Sequence, residues 1–218
     1  MQKNQTSHPT SKNNNYSLSV IEEVTSPTNG KLLVTTNPLL GVNIITPQKI
    51  AQSGDIMIAT WRKALQRIKN INIQNVLILG YGGGSAATVI HQIWLKAKVT
   101  GIEIDPLMIH LGKKYLQLKD NNDKIIIMDA LKFKSDKVYD LILMDIFTNY
   151  TVPKQFISGN YLNKIKSQLS PFGVLILNYL DLPETQEGLE QAKDNLAKIF
   201  KNISFMKFRK DLLITCFK

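Results

Sequence analysis

The chain has 218 residues, of which 44% are hydrophobic, a composition typical of a globular protein. This length fits one α/β domain with a modest N-terminal extension. No run approaches the ~20 apolar residues of a membrane span, and the N-terminus has no apolar signal core, so we expect a soluble, cytoplasmic protein without a membrane partner. The single cysteine, Cys216, excludes an internal disulfide and is expected to be a buried structural thiol.

The formal net charge of +10 raises the question of a nucleic-acid partner. Lysine outnumbers arginine by 24 to 3, however, and the lysines are scattered along the chain. Recognition of phosphates and bases favours clustered arginines. The charge therefore indicates a general compositional bias, and nucleic acid is the less favoured partner.

The N-terminal quarter of the chain predicts a tail and a small β cap. Residues 1–15 are polar without periodicity and predict a disordered tail. Residues 16–53 predict the cap, with strand-like runs at Ser17–Val24, Lys31–Thr36 and Gly41–Ile45. The Asn29-Gly30 step between the first two runs predicts a hairpin turn. Apolar residues at helical spacing then predict a helix over 54–69.

From residue 74 onward, strand-like and helix-like stretches alternate. The strand-like runs are Val76–Leu79, Val99–Ile104, Lys124–Met128, Asp140–Met144 and Val174–Asn178, and the helix-like stretches are 84–96, 106–118, 155–169 and 184–200. This alternation predicts a parallel, doubly wound sheet. The last two runs, Ile203–Phe208 and Leu212–Phe217, are joined by only three residues and must be antiparallel. The predicted fold is thus a Rossmann-like, doubly wound α/β sheet of seven strands over residues 54–218, with an antiparallel C-terminal strand pair.

A glycine cluster follows the first strand of this sheet, with glycines at positions 80, 82, 83 and 84. Glycine removes the Cβ where the backbone must turn sharply and a ligand must come close. The pattern predicts a strand, a tight turn and a helix start around a nucleotide-like ligand. Taken alone it is a weak signal, because such turns also join strands to helices where no ligand binds.

Acidic residues at the ends of later strands strengthen this interpretation, because ligands of open parallel sheets lie beyond the carboxyl ends of the strands. Glu103 ends the second strand 23 residues after Gly80, where it either accepts the hydrogen bonds of a ribose diol or is an exposed loop acid. Asp105 precedes Pro106 and is expected to cap the next helix. Asp129 ends the third strand, where it either accepts the amine of adenine, with Ala130 leaving room for the ring, or is a plain strand-end acid.

Asp145 ends a wholly apolar fourth strand and is the candidate general base or orienting group. Phe147, Asn149 and Tyr150 follow it and either wall the site or belong to the core. Asp140 opens the same strand at the opposite end and is assigned no role. His91 and His110 have no partner at metal-ligand spacing, so we expect packing or surface roles for them and no metal site.

Together these motifs resemble the spermidine synthase family and, more broadly, the class I S-adenosylmethionine-dependent methyltransferases. The resemblance covers about residues 17–180. It implies S-adenosylmethionine or its decarboxylated form as cofactor, a small-molecule acceptor such as an amine, and a homodimer. The implied cofactor-binding residues are Gly80, Tyr81, Gly82, Gly83, Gly84, Ser85, Glu103, Ile104, Asp129 and Ala130, and the implied catalytic residue is Asp145.

Two departures from the family pattern bear on the group transferred. Gly83 stands where spermidine synthases carry an aspartate in the glycine loop, and Thr148 stands where they carry a second one. Decarboxylated S-adenosylmethionine and polyamines are cations that need carboxylates nearby, whereas the carboxylate of intact S-adenosylmethionine suits backbone N–H groups at a helix start. Methyl transfer to an undetermined acceptor is therefore the first hypothesis. Aminopropyl transfer, non-catalytic nucleoside binding and, more distantly, a nicotinamide dehydrogenase are the alternatives.

Overall fold

A computed structural model describes residues 18–119, 121 and 123–218 of the chain. The tail predicted for residues 1–15 lies outside these described residues. No helix within the described ranges is long and apolar enough to cross a membrane.

The N-terminal sheet has four antiparallel strands in the order β1-β2-β3-β4. They are β1 (Ser19–Ser26), β2 (Gly30–Asn37), β3 (Gly41–Ile45) and β4 (Ala51–Gly54). The predicted hairpin turn is present, and Gly30 adopts the positive φ of 67° that the turn requires. The predicted cap therefore has one strand more than its sequence indicates, because β4, Ala-Gln-Ser-Gly, has no apolar alternation.

Helix α1 (Asp55–Gln66) connects this sheet to the rest of the chain and buries one face. The alternating elements that follow are β5 (Asn75–Leu79), α2 (Ser85–Ile93), β6 (Lys98–Glu103), α3 (Pro106–Tyr115), β7 (Lys124–Ile127), β8 (Tyr139–Met144), α4 (Gly159–Ser167) and β9 (Leu169–Leu180). A 3-10 turn (Pro183–Thr185), α5 (Gln186–Ile199), β10 (Asn202–Phe208) and β11 (Asp211–Phe217) complete the chain.

The second sheet has seven strands in the order β10-β11-β9-β8-β5-β6-β7. Strands β5 to β9 are mutually parallel, and β11 lies antiparallel between β9 and β10. This arrangement confirms the predicted fold class, including the antiparallel C-terminal strand pair. It adds that β11, the last strand of the chain, lies inside the sheet and β10 lies at its edge. After β5 the chain continues to β6 on one side of β5, and after β7 it returns to β8 on the other side. A crevice therefore opens between the carboxyl ends of β5 and β8.

Side chains of the central strands alternate between two apolar layers. On β5, Leu77 and Leu79 pack with α4 and α5, whereas Val76 and Ile78 pack with α1 and α2. Such burial of both faces explains why these strands are continuous apolar runs. Cys216 is fully buried, as predicted, and burial raises the pKa of its thiol to about 12.

Candidate active site

A cavity lies at the carboxyl ends of β5, β6 and β8, and β4 and the β1–β2 turn close one side of it. It brings together most of the predicted site residues, which approach from four separate parts of the chain. Those that line it are Gly80, Tyr81, Gly82, Ser85, Glu103, Ile104, Asp129, Ala130 and Asp145. Gly83 and Gly84 lie outside the lining.

Gly80 begins the turn where β5 passes closest to β8. Its φ is 85°, and a Cβ at this position would lie 2.1 Å from the carbonyl oxygen of Asp145. The backbone N–H groups of Gly80 and Tyr81 both donate to the Ile102 carbonyl, at 2.9 and 3.0 Å. Glycine is therefore required here by conformation and by space, and the turn is held against both neighbouring strands.

Gly83 and Gly84 pack behind the turn rather than into the cavity. The Gly83 N–H donates to Ser53 Oγ at 3.1 Å, and a Cβ on Gly83 would lie 2.9 Å from both this oxygen and a methyl group of Leu116. Ser85 Oγ lies 2.7 Å from Ser53 Oγ and accepts the Gly54 N–H at 2.8 Å. The start of α2 is thus fixed to β4 by a pair of serines.

Tyr81 is held by a chain of polar groups below the loop. Its hydroxyl donates to one oxygen of Asp123 at 2.9 Å, and the other oxygen lies 2.7 Å from His91 Nε2. The tyrosine ring packs over Gly101, where a Cβ would lie 2.1 Å from the ring. His91 therefore has a packing role within a buried polar chain.

Glu103 is buried at the end of β6 and accepts one backbone N–H on each carboxylate oxygen. Gly82 donates to one oxygen at 2.7 Å and Asp105 to the other at 2.9 Å. Burial raises the pKa of Glu103, and the two backbone hydrogen bonds oppose that rise. Each oxygen keeps a further lone pair, so this carboxylate can still accept hydroxyl groups of a ligand.

Asp105 caps α3, as predicted, by accepting the Leu107 N–H at 2.9 Å. It is itself buried, and its second oxygen accepts Ser26 Oγ at 2.5 Å and Asn29 Nδ2 at 2.6 Å. One carboxylate therefore joins the helix start to the turn of the N-terminal sheet.

The part of the cavity beside β7 combines one carboxylate with apolar surface. Asp129 is partly buried and accepts the Leu131 N–H on one oxygen at 2.9 Å. Ala130 is buried beside it, and Ile104, Met128 and Leu131 also line this end. Ile104 is 51% exposed, so it offers an apolar face that a flat ring can cover.

Asp145 lies at the switch point between the strands. Trp61 Nε1 donates to one of its oxygens at 3.1 Å, and Asn178 Nδ2 donates to the other at 2.9 Å. Burial raises the pKa of Asp145 to about 7, and the negative charges of Asp211 and Glu103 add to the rise while the two hydrogen bonds oppose it. Such a carboxyl group exchanges a proton near neutral pH.

Asn178 links Asp145 to a further carboxylate. Its Nδ2 also donates to Asp211 at 3.2 Å, and Thr60 Oγ1 donates to the other oxygen of Asp211 at 3.4 Å. Burial raises the pKa of Asp211 as well. Asn178 is fully buried, and its Oδ1 has no hydrogen-bond partner among the described residues.

The lining carries a strongly unbalanced charge. Its four carboxylates belong to Glu103, Asp129, Asp145 and Asp211, and no lysine, arginine or histidine from the described part of the chain lines the cavity. This concentration of acids stands out in a chain with a net charge of +10. The cavity is therefore suited to a ligand that carries positive charge.

Sequence reasoning missed Trp61, Asn178 and Asp211. Trp61 lies at an apolar position of α1 and has the signal of a core residue. Asn178 carries a usable signal, since it is a polar residue ending the strand-like run that begins at Val174. In the sequence, Asp211 belongs to a short charged segment that is typical of a turn. The pairing of β11 with β9 brings it to the site.

The loop after Asp145 is part of the wall only in places. Phe147, Thr148 and Phe156 line the cavity. Asn149 and Tyr150 lie outside the lining, and Asn149 takes a φ of 59° in the turn closed by the Thr148–Thr151 bridge. Of the three residues suggested as a wall, Phe147 lines the cavity and the other two do not.

Comparisons with known proteins find relatives by sequence and by structure. The chain is 28% identical over 151 residues to the eEF1A lysine and N-terminal methyltransferase homolog of Drosophila melanogaster, a match that covers 64% of this chain and 22% of that protein. The spermidine synthase from Thermotoga maritima superposes with a TM-score of 0.71 and 21% identity over 92% of this chain and 73% of that one. Human methyltransferase-like protein 13, solved in complex with SAH, gives a TM-score of 0.59 and 22% identity over 74% and 78%.

These structural likenesses support the fold. The chain spans less than half the length of the curated relatives that it matches by sequence. The family model described as "Spermine/spermidine synthase domain" matches residues 57–209. This range contains the glycine turn and every cavity carboxylate except that of Asp211. The chain therefore belongs to the spermine/spermidine synthase domain family.

Proposed function

We propose that the protein is an S-adenosylmethionine-dependent transferase that moves a methyl group to an acceptor nitrogen. The observation that carries this proposal is the cavity at the switch point, with four carboxylates and no basic residue from the described ranges. S-adenosylmethionine is cationic at its sulfonium and ammonium groups, so such a lining complements it. A dinucleotide would bring a pyrophosphate with two negative charges into the same field.

The adenosine half of the cofactor fits the groups on β6 and β7. Glu103 would accept the ribose hydroxyls on the lone pairs that Gly82 and Asp105 leave free. Asp129 has one oxygen committed to Leu131 and would accept the exocyclic amine of adenine on the other. Ala130 and Ile104 would border the ring.

The methionine half of intact S-adenosylmethionine fits the turn better than the decarboxylated form does. Ser53 and Leu116 occupy the space that a side chain on residue 83 would need, so an acidic group cannot be placed there without displacing them. Helix α2 has no side-chain cap, and Ser85 and Ala86 of its first turn line the cavity. Backbone N–H groups at such a start bind carboxylates.

Transfer would proceed by in-line displacement at the methyl carbon. The acceptor nitrogen forms the new N–C bond as the S–C bond breaks, and the electron pair stays on sulfur to give S-adenosylhomocysteine. Asp145, the proposed catalytic residue, accepts the proton that the acceptor nitrogen loses. Positioning supplies most of the acceleration in such a reaction.

Aminopropyl transfer is the second candidate, favoured by the acids beside the transfer point. Asp145 and Asp211 both line the cavity and suit a polyamine. It requires the decarboxylated cofactor, whose bare ammonium has no carboxylate to place at α2.

A product assay decides between these activities. The protein is incubated with S-adenosylmethionine or its decarboxylated form and, in turn, putrescine, butylamine and a lysine-containing peptide, and products are identified by mass spectrometry. Our proposal predicts a mass gain of one methylene group on an acceptor with the intact cofactor. An aminopropylated product with the decarboxylated cofactor alone contradicts it, and binding without any product favours a non-catalytic nucleoside-binding protein.

A further inference from the structure

We propose that Asp211 binds the cationic nitrogen of the acceptor, and that Asn178 couples it to Asp145 in a single acceptor subsite. This inference rests on the proposed transferase function and names a residue of the site that the family model does not cover. Asp211 is the first residue of β11, and Asn178 lies near the end of the adjacent strand β9 (Leu169–Leu180).

The geometry of the subsite is set by one amide group. Asn178 Nδ2 donates at 2.9 Å to Asp145 and at 3.2 Å to Asp211, so the two carboxylates lie on either side of it. Thr60 of α1 donates to the far oxygen of Asp211, and Trp61 of the same helix donates to Asp145. Both acids are therefore oriented by the same helix and the same amide.

The amide group of Asn178 is committed to the two carboxylates at the cost of its own oxygen. Both of its N–H bonds go to the carboxylates, whereas its Oδ1 is fully buried without a partner among the described residues. A buried polar oxygen without a hydrogen bond costs about 1–3 kcal/mol. The amide keeps this orientation because both of its N–H groups serve the two carboxylates, and a charged ammonium in the cavity can donate to those same carboxylates.

Charge balance points the same way. Asp145, Asp211 and Glu103 line one cavity, and their mutual repulsion adds to the cost of burial. The loop that follows Asp145, residues 146–151, contains no second carboxylate. The acid available beside Asp145 for a cationic acceptor therefore comes from β11, through Asp211.

The alternative is that Asp211 only fixes β11 to α1 through Thr60. Such a structural role predicts a loss of stability when the carboxylate is replaced, but no selective loss of amine binding. The proposed role predicts a selective loss of amine binding with stability retained, because Asp211→Asn keeps the shape of the side chain and removes its charge.

The test uses titration calorimetry on the full chain with butylamine as the cationic probe and butanol as its neutral counterpart. The titrations are run with S-adenosylhomocysteine bound and repeated without it. We expect the unsubstituted protein to bind butylamine and to bind butanol at least tenfold more weakly. Asp211→Asn should weaken butylamine binding at least tenfold and change the dissociation constant of S-adenosylhomocysteine less than twofold.

Asp194→Asn is the matched control, because it removes the same charge from an exposed position of α5 outside the cavity lining. It should leave both dissociation constants within twofold. If Asp211→Asn does not fold, as judged by circular dichroism, Asp211→Ser is titrated in its place. Equal butylamine binding by the Asp211 variant and the unsubstituted protein overturns the inference, as does equal binding of butylamine and butanol.

The two proposals fail separately in this design. Absence of S-adenosylhomocysteine binding would refute the proposed function, while the titrations without it still decide whether Asp211 binds an amine. In steady-state assays the proposed role also predicts a rise in the acceptor KM that exceeds the fall in kcat.

Discussion

Glu103 both stabilises the local backbone and offers hydrogen-bond acceptors to a ligand. Each oxygen accepts a backbone N–H, from Gly82 in the turn and from Asp105 before α3. Replacement by glutamine turns one acceptor into a donor that faces one of those N–H groups. The turn should therefore loosen where the cofactor is expected to bind.

We predict that Glu103→Gln weakens binding of S-adenosylmethionine at least tenfold, about 1.4 kcal/mol. Titration calorimetry measures this effect. Asp140→Asn is a suitable comparison, because Asp140 accepts the Gln74 and Asn75 N–H groups at the opposite end of β8. Unchanged affinity in Glu103→Gln would show that the ribose is not bound at this position.

Asp145 gives a prediction about pH. Its pKa is raised to about 7, so below that pH the group is protonated and cannot accept a proton from the acceptor. We expect kcat/KM to rise with pH up to an inflection near 7. Trp61→Phe removes a hydrogen bond that favours the charged form, so its inflection should move to higher pH. A pH–rate profile of both proteins tests this, and a downward shift in the variant would contradict it.

Asp145→Asn should retain cofactor affinity within a few-fold and lose at least ~100-fold in transfer rate, since general-base catalysis contributes about 10²–10⁴-fold. Single-turnover measurement of product separates this loss from binding. A variant with an undiminished rate would remove Asp145 from the proposed chemistry.

At this scale, the sequence predicts the carboxylates that end parallel strands, because strand ends of a doubly wound sheet meet at one edge. Glu103, Asp129 and Asp145 are of this kind, and all three line the cavity. Trp61 and Asp211 could not be predicted this way. One lies on a helix before the sheet and the other at the start of an antiparallel strand, so their positions depend on packing rather than on strand order.

Among the structural elements, the start of α3 is joined to the N-terminal sheet by Asp105. We predict that Asp105→Ala lowers the free energy of unfolding by about 2–3 kcal/mol, because it removes the helix cap and leaves the buried donors of Ser26 and Leu107 without an acceptor. Chemical denaturation measures the loss. Asn29→Ala removes the 2.6 Å hydrogen bond alone and should cost about half as much or less.

Two glycines, one in the glycine turn and one at the start of α4, give stability predictions of opposite sign. Gly80→Ala places a methyl group 2.1 Å from a backbone oxygen at a φ of 85°, so we expect a loss of at least ~2 kcal/mol. Gly159 begins α4, and no atom lies within 4 Å of the point that an alanine methyl group would occupy there. Alanine at this position should therefore leave stability unchanged or raise it by up to ~1 kcal/mol. Thermal unfolding of both variants tests this, and equal melting temperatures would contradict it.

Element boundaries show where sequence patterns are insufficient. Helix α3 is predicted over 106–118 and ends at Tyr115, because Gln117 adopts a positive φ of 53° in the following turn. Strand β9 is predicted from Val174 and begins at Leu169, since Ser170-Pro171-Phe172-Gly173 has turn composition but continues the strand. The apolar cores of these elements were recognisable, whereas their ends depend on local hydrogen bonding.

At the scale of the whole molecule, the cavity requires both sheets. Ser53 of β4 and Asn29 of the β1–β2 turn line it together with residues from the ends of β5, β6 and β8. The boundary predicted between residues 53 and 54 falls within β4, beside the proposed cofactor site. The N-terminal sheet also occupies the space that a side chain at position 83 would need.

The proposed function requires that the cavity binds intact S-adenosylmethionine at the glycine turn. Titration calorimetry of the full chain with S-adenosylmethionine and with decarboxylated S-adenosylmethionine measures this preference. We predict that both bind and that the intact form binds at least tenfold more tightly, because its carboxylate is held at the start of α2. Tighter binding of the decarboxylated form, or no binding of either, would contradict the account.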